Sequence, residues 1–354
     1  MIKQVQLYDD RLDFEVNKIE GPFGDYSSIT TPYKNEGEPQ YDFFGTPVYS
    51  PFGIGAGPLP APKFIKAALA RGFDIVTLKN VRTDTFPLNP YPQIRPVKID
   101  GKLEISSNVE VQVAERYEEP LAVANSFGIP TPAPAEWQSC LRECYSLPQK
   151  GQTLLVSFQG TAKGKGRDEF VQDHVRGIEL IRDTGNPVIE INLACPNEGE
   201  AVLACFDTDI TVRIVKAVRE TNPDLKFLIK IAYFKDKNQL KDLVCRVGES
   251  IDGITAINTI PMKVVNEQGN EVFPGRPTAG ISGAPIKWAG LEMVKELAAF
   301  RQEFGYKYKI IGLGGVLSSD DFHEYLNNGA DYVLSVTGAM WNPDLAAEIK
   351  QALN

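Results

Sequence analysis

Eight short apolar runs, each followed by a stretch of helical period, constrain this chain more than any other feature. The runs are VYSPFGIGAG (48–57), FDIVTLK (73–79), TLLVSFQ (153–159), PVIEINLA (187–194), KFLIKIA (226–232), GITAINTI (253–260), KYKIIGLGG (307–315) and DYVLSVTG (331–338). Near-continuous apolar stretches of this length read as parallel strands buried on both faces. Helical candidates lie near 62–71, 168–183, 209–221, 238–248, 286–304, 319–328 and 343–353, and the gap between the second and third runs has room for another. Eight strand–helix pairs predict an α/β fold, a (β/α)8 TIM barrel of about 250 residues plus insertions. A doubly wound sheet is the competing architecture, but it needs an early G-x-G-x-x-G at a strand end, and none is found there. Two long insertions stand out, 80–150 after strand two and 261–285 after strand six. Both leave the C-terminal ends of strands, where barrels build their sites. Residues 1–45 are polar and aperiodic. They are expected to form an irregular N-terminal arm, with room for a short strand, packed on a barrel spanning 46–354.

Composition narrows the function. The net charge is -9 over 354 residues, with no Lys/Arg cluster, so no nucleic-acid partner is expected. The N-terminus, MIKQVQLYDDRLDFEV, is studded with charges rather than built like a signal peptide. No run approaches the ~20 apolar residues that span a bilayer, and no membrane partner is expected. Five cysteines in a chain this long argue against a secreted disulfide framework. A cytoplasmic protein is expected. The two histidines, His174 and His323, are not in a metal-ligand spacing, so no metal is expected. Cys140 and Cys144 are one helical turn apart and read as partly buried helix residues.

If the barrel closes, the polar residues at its strand tips converge. They are Lys79, Ser157, Asn192 with Cys195, Lys230, Asn258 with Thr259, the glycines of GLGG (312–315), and Thr337 with Gly338. Lysine is almost never buried without a partner. Two at barrel tips point to an anionic ligand. Bare glycine amides after strands seven and eight suit a phosphate. Cys195, in INLACPNEGE, follows a buried strand and has no histidine near it in sequence. A thiol acting as general acid or base fits better than a Cys–His nucleophile.

INLACPN resembles the Asn-Leu-x-Cys-Pro-Asn segment of the dihydroorotate dehydrogenase family and of the related flavin domain of dihydropyrimidine dehydrogenases. SPFGIGAG, TLKN, LIKIA, AINTI, AGISGAPIK, GLGG and SVTGAM fall in the family's order over roughly residues 45–350. The resemblance implies an FMN-dependent oxidoreductase acting on the C5–C6 bond of a dihydropyrimidine. It implies flavin contacts at Gly55, Ala56, Gly57, Lys79, Asn80, Ser157, Asn192 and Lys230. Further contacts fall at Asn258, Gly280, Ser282, Gly283, Gly314, Gly315, Thr337 and Gly338, the phosphate being held by Gly314, Gly315, Thr337 and Gly338. Cys195, Lys79 and Lys230 would be the catalytic positions. Cys195 would exchange the C5 proton while hydride passes between C6 and flavin N5, and Lys230 would lie by flavin N1 and O2. Asn192, Asn258 and Thr259 would bind the amide-like edge of the ring.

The substrate loop is less typical. SNVEVQ (107–112) resembles the Asn-Ile-Glu of dihydropyrimidine dehydrogenases, which places Asn108 and Glu110 at the substrate. Glu110 beside a substrate carboxylate would be a like-charge contact unless a cation intervenes. Asn197, by contrast, matches the dihydroorotate pattern. The chain lacks Cys-x-x-Cys-x-x-Cys runs and the amphipathic N-terminal helices of quinone-using relatives. The expected acceptor is therefore a soluble small molecule or a separate electron-transfer subunit, and a homodimer is left open. Dihydroorotate leads as the substrate, with dihydrouracil or dihydrothymine second. A tRNA dihydrouridine synthase and a non-catalytic barrel are remote alternatives.

Overall fold

All eight apolar runs become strands of one closed parallel barrel in the computed structural model, which describes residues 2–106, 108–162, 164–185, 187–194 and 203–353. The strands are β1 (Phe52–Ile54), β2 (Ile75–Val81), β3 (Thr153–Phe158), β4 (Val188–Asn192), β5 (Phe227–Ile231), β6 (Gly253–Ala256), β7 (Lys309–Leu313) and β8 (Tyr332–Ser335). They pair in chain order, and β8 closes on β1. Helices α1 (Pro62–Ala70), α2 (Pro134–Tyr145), α3 (Arg167–Arg182), α4 (Thr208–Thr221), α5 (Lys237–Val247), α6 (Lys287–Phe304), α7 (Ser319–Asn327) and α8 (Leu345–Leu353) follow the strands in turn. Helix α4 shows why such segments are helical. Asp207 caps it by accepting from the Ile210 N–H, and Ile210, Ile214, Val215 and Val218 form one buried stripe.

The barrel interior is layered. At the base, Ile75, Leu155, Val188, Leu228, Ile311 and Leu334 pack together. Phe43, from the hairpin Tyr41–Phe43/Thr46–Val48, plugs them from below. Higher up the layer turns polar, with Thr77, Ser157, Glu190 and Thr255 all buried. A barrel whose interior changes from apolar to polar along its axis has a closed end and a reactive end.

The two insertions meet. Strands Ile94–Lys98, Glu110–Val113 and Ala122–Asn125 of the first join Ile260–Val265 and Thr278–Gly283 of the second in one closed five-stranded sheet. In Ile260–Val265, Ile260, Met262 and Val264 are buried while Pro261 and Lys263 face out, the alternation of a one-sided sheet. The arm differs from the irregular segment expected. It carries a helix, Phe14–Glu20, capped by Asp13. Buried Asn17 donates to the carbonyls of Asp9, Leu12 and Asp13. One helix of seven residues is too short for its period to show in sequence. The Gln6 and Leu7 N–H groups both donate to the Met340 carbonyl, at 2.8 and 3.3 Å, fastening the arm beyond β8. Among the described residues no helix is long and apolar enough to cross a membrane, and no group of three or more His, Cys, Asp or Glu could hold a metal.

Candidate active site

A cleft of about 1100 Å³, open mouth included, lies over the C-terminal ends of the strands. That is ample for a cofactor-sized ligand. Its floor is built by strand tips, and its far wall by the insertion sheet. Ala56, Gly57, Lys79, Asn80, Asn192 and Lys230 line it, as do Asn258, Thr259, Ser282, Gly283, Gly314, Gly315 and Thr337. Gly55, Ser157, Gly280, Gly338, Asn108 and Glu110 do not. Cys195 and Asn197 lie outside the described residues. Ala194, the neighbour of Cys195 in the chain, is described and fully buried.

The two lysines enter the cleft differently. Lys79 reaches the Gly57 carbonyl at 3.4 Å and stands over the rings of Phe14 and Phe127, 5.1 and 5.3 Å from their centroids. Lys230 is 3 % exposed, and its Nζ is 4.0 Å from Glu190 Oε1, too far for a hydrogen bond. Ser157 Oγ donates to that same oxygen at 2.9 Å and accepts from Asn80 Nδ2 at 2.9 Å. The Ser157 hydroxyl thus sits beneath the floor.

The asparagines tie strand tips together. Asn258 Nδ2 donates to the Ala194 carbonyl at 2.8 Å and to Asn192 Oδ1 at 3.4 Å. Asn192 Oδ1 also accepts from the Ala194 N–H at 3.1 Å, and Asn258 Oδ1 accepts from the Thr259 N–H at 2.8 Å. Both carboxamide oxygens are committed to the protein, so Asn192 meets a ligand with N–H. The same bonds pin Ala194. The described thiol nearest in sequence, Cys205, is fully buried, and burial pushes it up to about 12, which leaves it inert as an acid or base near neutral pH.

Glycines shape the far end. Gly314 and Gly315 have φ of 123° and 69°, which side chains rarely adopt. A Cβ on Gly315 would also lie 2.7 Å from Lys287 Cβ and 2.8 Å from the Gly283 carbonyl oxygen. Gly57, with φ 145°, is different: a Cβ there would meet nothing within 4 Å. Its lack of a side chain keeps the cleft empty.

Glu110 is half-exposed at the start of an insertion strand and ion-paired to Lys263 at 2.5 Å, in register across the sheet. Sequence reasoning missed Glu190, and it missed Asn125, Phe127, Tyr8 and Trp341, which line the cleft from the first insertion, the arm and the segment after β8. Only Glu190 carried a signal, as a lone carboxylate inside an apolar run.

The family model for dihydroorotate dehydrogenase matches residues 108–354. Dihydroorotate dehydrogenase of Dictyostelium discoideum is 30% identical over 96% of this chain and 95% of its own length. The catalytic subunit of dihydroorotate dehydrogenase B (NAD(+)) of Methanocaldococcus jannaschii is 26% identical over 61% of this chain and 66% of its own. Dihydroorotate dehydrogenase (quinone) of Thermobifida fusca is 26% identical, covering 85% of this chain and 75% of the relative. A crystal structure of the Eimeria tenella enzyme in complex with ferulenol shares the fold, with a TM-score of 0.71 at 17% identity over 93% of this chain and 87% of that one. A match over most of the chain, together with a relative aligned end to end, decides membership: the chain belongs to the dihydroorotate dehydrogenase family, oxidoreductases that act on CH–CH bonds.

Proposed function

We propose that the protein is an FMN-dependent dihydroorotate dehydrogenase in which Cys195 is the general acid/base, with an arm of residues 1–45 on a cofactor-binding barrel of 46–354. The observation that carries this reading is the convergence of Lys79, Lys230, Asn192, Asn258 and the glycine loops on one cleft. The residues suit FMN. Gly57 leaves space where a side chain would intrude, and Gly314, Gly315 and Thr337 offer backbone and hydroxyl donors for a phosphate. Lys230 puts an almost fully buried ammonium at the cleft floor. Bound FMN supplies a two-electron acceptor for the hydride leaving C6 of dihydroorotate.

The chain's own residues do the rest. Cys195 removes the C5 proton, so that loss of hydride and proton together leaves the C5–C6 double bond of orotate. A thiol, with a pKa of ~8.5 in small molecules, can act in either direction near neutrality. Asn192, Asn258 and Thr259 orient the ring's N–H and C=O groups, and the bonds of Asn258 and Asn192 to Ala194 hold the chain that delivers Cys195. Lys79 favours an anionic substrate. The objection that Glu110 would repel a carboxylate is weakened, because Glu110 does not line the cleft and its charge is paired with Lys263. The reduced cofactor would pass its electrons to a soluble small molecule or a separate subunit.

Anaerobic titration tests this. The purified protein is expected to be yellow and to bleach with dihydroorotate far faster than with dihydrouracil. Cys195→Ala should keep the colour and lose about 10²–10⁴-fold in bleaching rate. A protein that takes up no FMN, prefers dihydrouracil, or bleaches normally without Cys195 would overturn the corresponding part of the reading.

A further inference from the structure

Beneath the cleft floor a buried chain of polar groups runs across four consecutive strands. Asn80 on β2 donates to Ser157 on β3, Ser157 donates to Glu190 on β4, and Glu190 stands 4.0 Å from the Lys230 ammonium on β5. The four residues are 7, 0, 1 and 3 % exposed. The outer two, Asn80 and Lys230, line the cleft, and the inner two do not. A carboxylate is costly to bury, and an apolar side chain would fill that interior position more cheaply. Glu190 therefore calls for a reason beyond packing.

Its distance supplies one. At 4.0 Å the carboxylate offsets the charge of the ammonium without taking its N–H groups. The Ser157 hydroxyl, itself held by Asn80, occupies Oε1 and fixes where the carboxylate stands. On the strands either side of Lys230 its register partners are uncharged, Asn192 on β4 and Thr255 on β6, and Glu190 stands two residues before Asn192 on β4. The other charged group lining the cleft is Lys79, a like charge. Cys195 follows β4, outside the described residues. Among the described groups, Glu190 is the carboxylate that stands near the Lys230 ammonium, at 4.0 Å.

We propose that Glu190 is a positioning residue: aimed by Asn80 and Ser157, it steadies the Lys230 ammonium at the cleft floor. It acts through Lys230 and touches neither substrate nor cofactor.

The first test needs no cofactor. Apoprotein is treated with formaldehyde and cyanoborohydride at pH 8.5, and methylation of each lysine is followed by mass spectrometry. Only the unprotonated amine reacts, so Glu190→Gln should speed methylation of Lys230 at least tenfold while Lys79 and Lys350 keep their rates. Glu190→Asp should restore slow labelling. Ser157→Ala, which frees the carboxylate without removing it, should give a smaller acceleration and covers the case in which Glu190→Gln does not fold. Equal labelling of Lys230 in wild type, Glu190→Gln and Ser157→Ala would overturn the proposal, and so would acceleration at every lysine, which signals general loosening. The second test rests on the flavin reading. The alkaline fall in the rate of cofactor reduction should begin at least one pH unit lower in Glu190→Gln, with the KM for dihydroorotate changed less than threefold. An unmoved profile would count against Glu190, whereas failure to bind FMN would count against the flavin reading and leave the labelling result to decide.

Discussion

Among the described residues one lysine is buried near each end of the barrel, and the two are treated in opposite ways. Lys350, on α8 at the base, is saturated. Its Nζ meets Asp74 Oδ1 at 2.8 Å and Asn35 Oδ1 at 2.6 Å, and it stands 4.9 Å from the Tyr33 ring centroid. The other oxygen of Asp74 accepts from Ser50 Oγ at 2.6 Å. Burial pushes the Asp74 carboxyl up and the Lys350 ammonium down, and their pairing opposes both shifts. This cluster clips together the arm, the approach to β1, the approach to β2 and the last helix. Lys230, at the mouth, has a carboxylate at 4.0 Å and lines a cleft. A buried cation with every partner in place is a fastener. One held just beyond its counter-ion's reach keeps its bonding capacity for a ligand.

Making the same substitution at both ends tests this contrast most severely. Lys350→Met leaves Asp74 buried without its cation and should cost about 3–5 kcal/mol of stability, with the activity of the folded protein unchanged. Lys230→Met should lower the rate of cofactor reduction by about 10²–10³ and cost less stability, because Ser157 still donates to Glu190. Denaturant melts and anaerobic single-turnover kinetics on both variants read the two quantities. A Lys230→Met protein that unfolds first, or a Lys350→Met protein that folds well but turns over slowly, would erase the distinction.

His174 sharpens the comparison from a third position, because it is buried with no charge paired to it. It lies on α3, its Nδ1 2.9 Å from the Phe170 carbonyl oxygen and its Nε2 without a partner among the described residues. Desolvation lowers its pKa to about 4, against a smaller opposing effect of the Phe170 bond. The unfolded chain takes up a proton near pH 6.5 and the folded one only near 4. The stability that neutral His174 lends is therefore complete above pH 6.5 and lost as pH falls toward 4. That window amounts to about 3 kcal/mol. His174→Gln cannot take up the proton, so between pH 7 and 4.5 it should lose less stability than wild type by most of that amount. Parallel melting curves would show that unpaired burial has no such cost.

Sequence reading reached the floor of the site and, apart from Ser282 and Gly283, missed its roof, and the reason is physical. A strand buried on both faces, such as β5 with its FLIKI, needs apolar residues at successive positions, so a polar exception at its tip stands out. Lys79, Lys230, Asn192 and Asn258 were visible for that reason. The insertion strands are short and half-exposed, and Pro96 and Pro261 interrupt them. The pairings that join the two insertions span more than a hundred residues, so nothing local marks Ile260–Val265 as the neighbour of Glu110–Val113. Tyr8 reaches the cleft because the arm crosses to Met340, beside Trp341, a long-range contact that no periodicity encodes. Glu190 was visible as a letter in PVIEINLA, yet its role depends on a distance to Lys230 that only the closed barrel sets.

The roof supplies the smallest effect. Glu110 and Lys263 form an ion pair on the insertion sheet, with about half of each side chain in water. Screening limits such a pair to about 0–1 kcal/mol, so Glu110→Gln should scarcely move the melting midpoint. It does leave the Lys263 charge uncompensated on the insertion sheet. If the insertion sheet contributes to the field that an anionic substrate meets, the KM for dihydroorotate should fall by about two- to threefold at low salt, and the gain should fade as ionic strength rises. Dihydrouracil, being neutral, should not respond. A tenfold change, or one of equal size for both substrates, would mean that Glu110 reaches the ring directly, and would move the boundary between floor and roof.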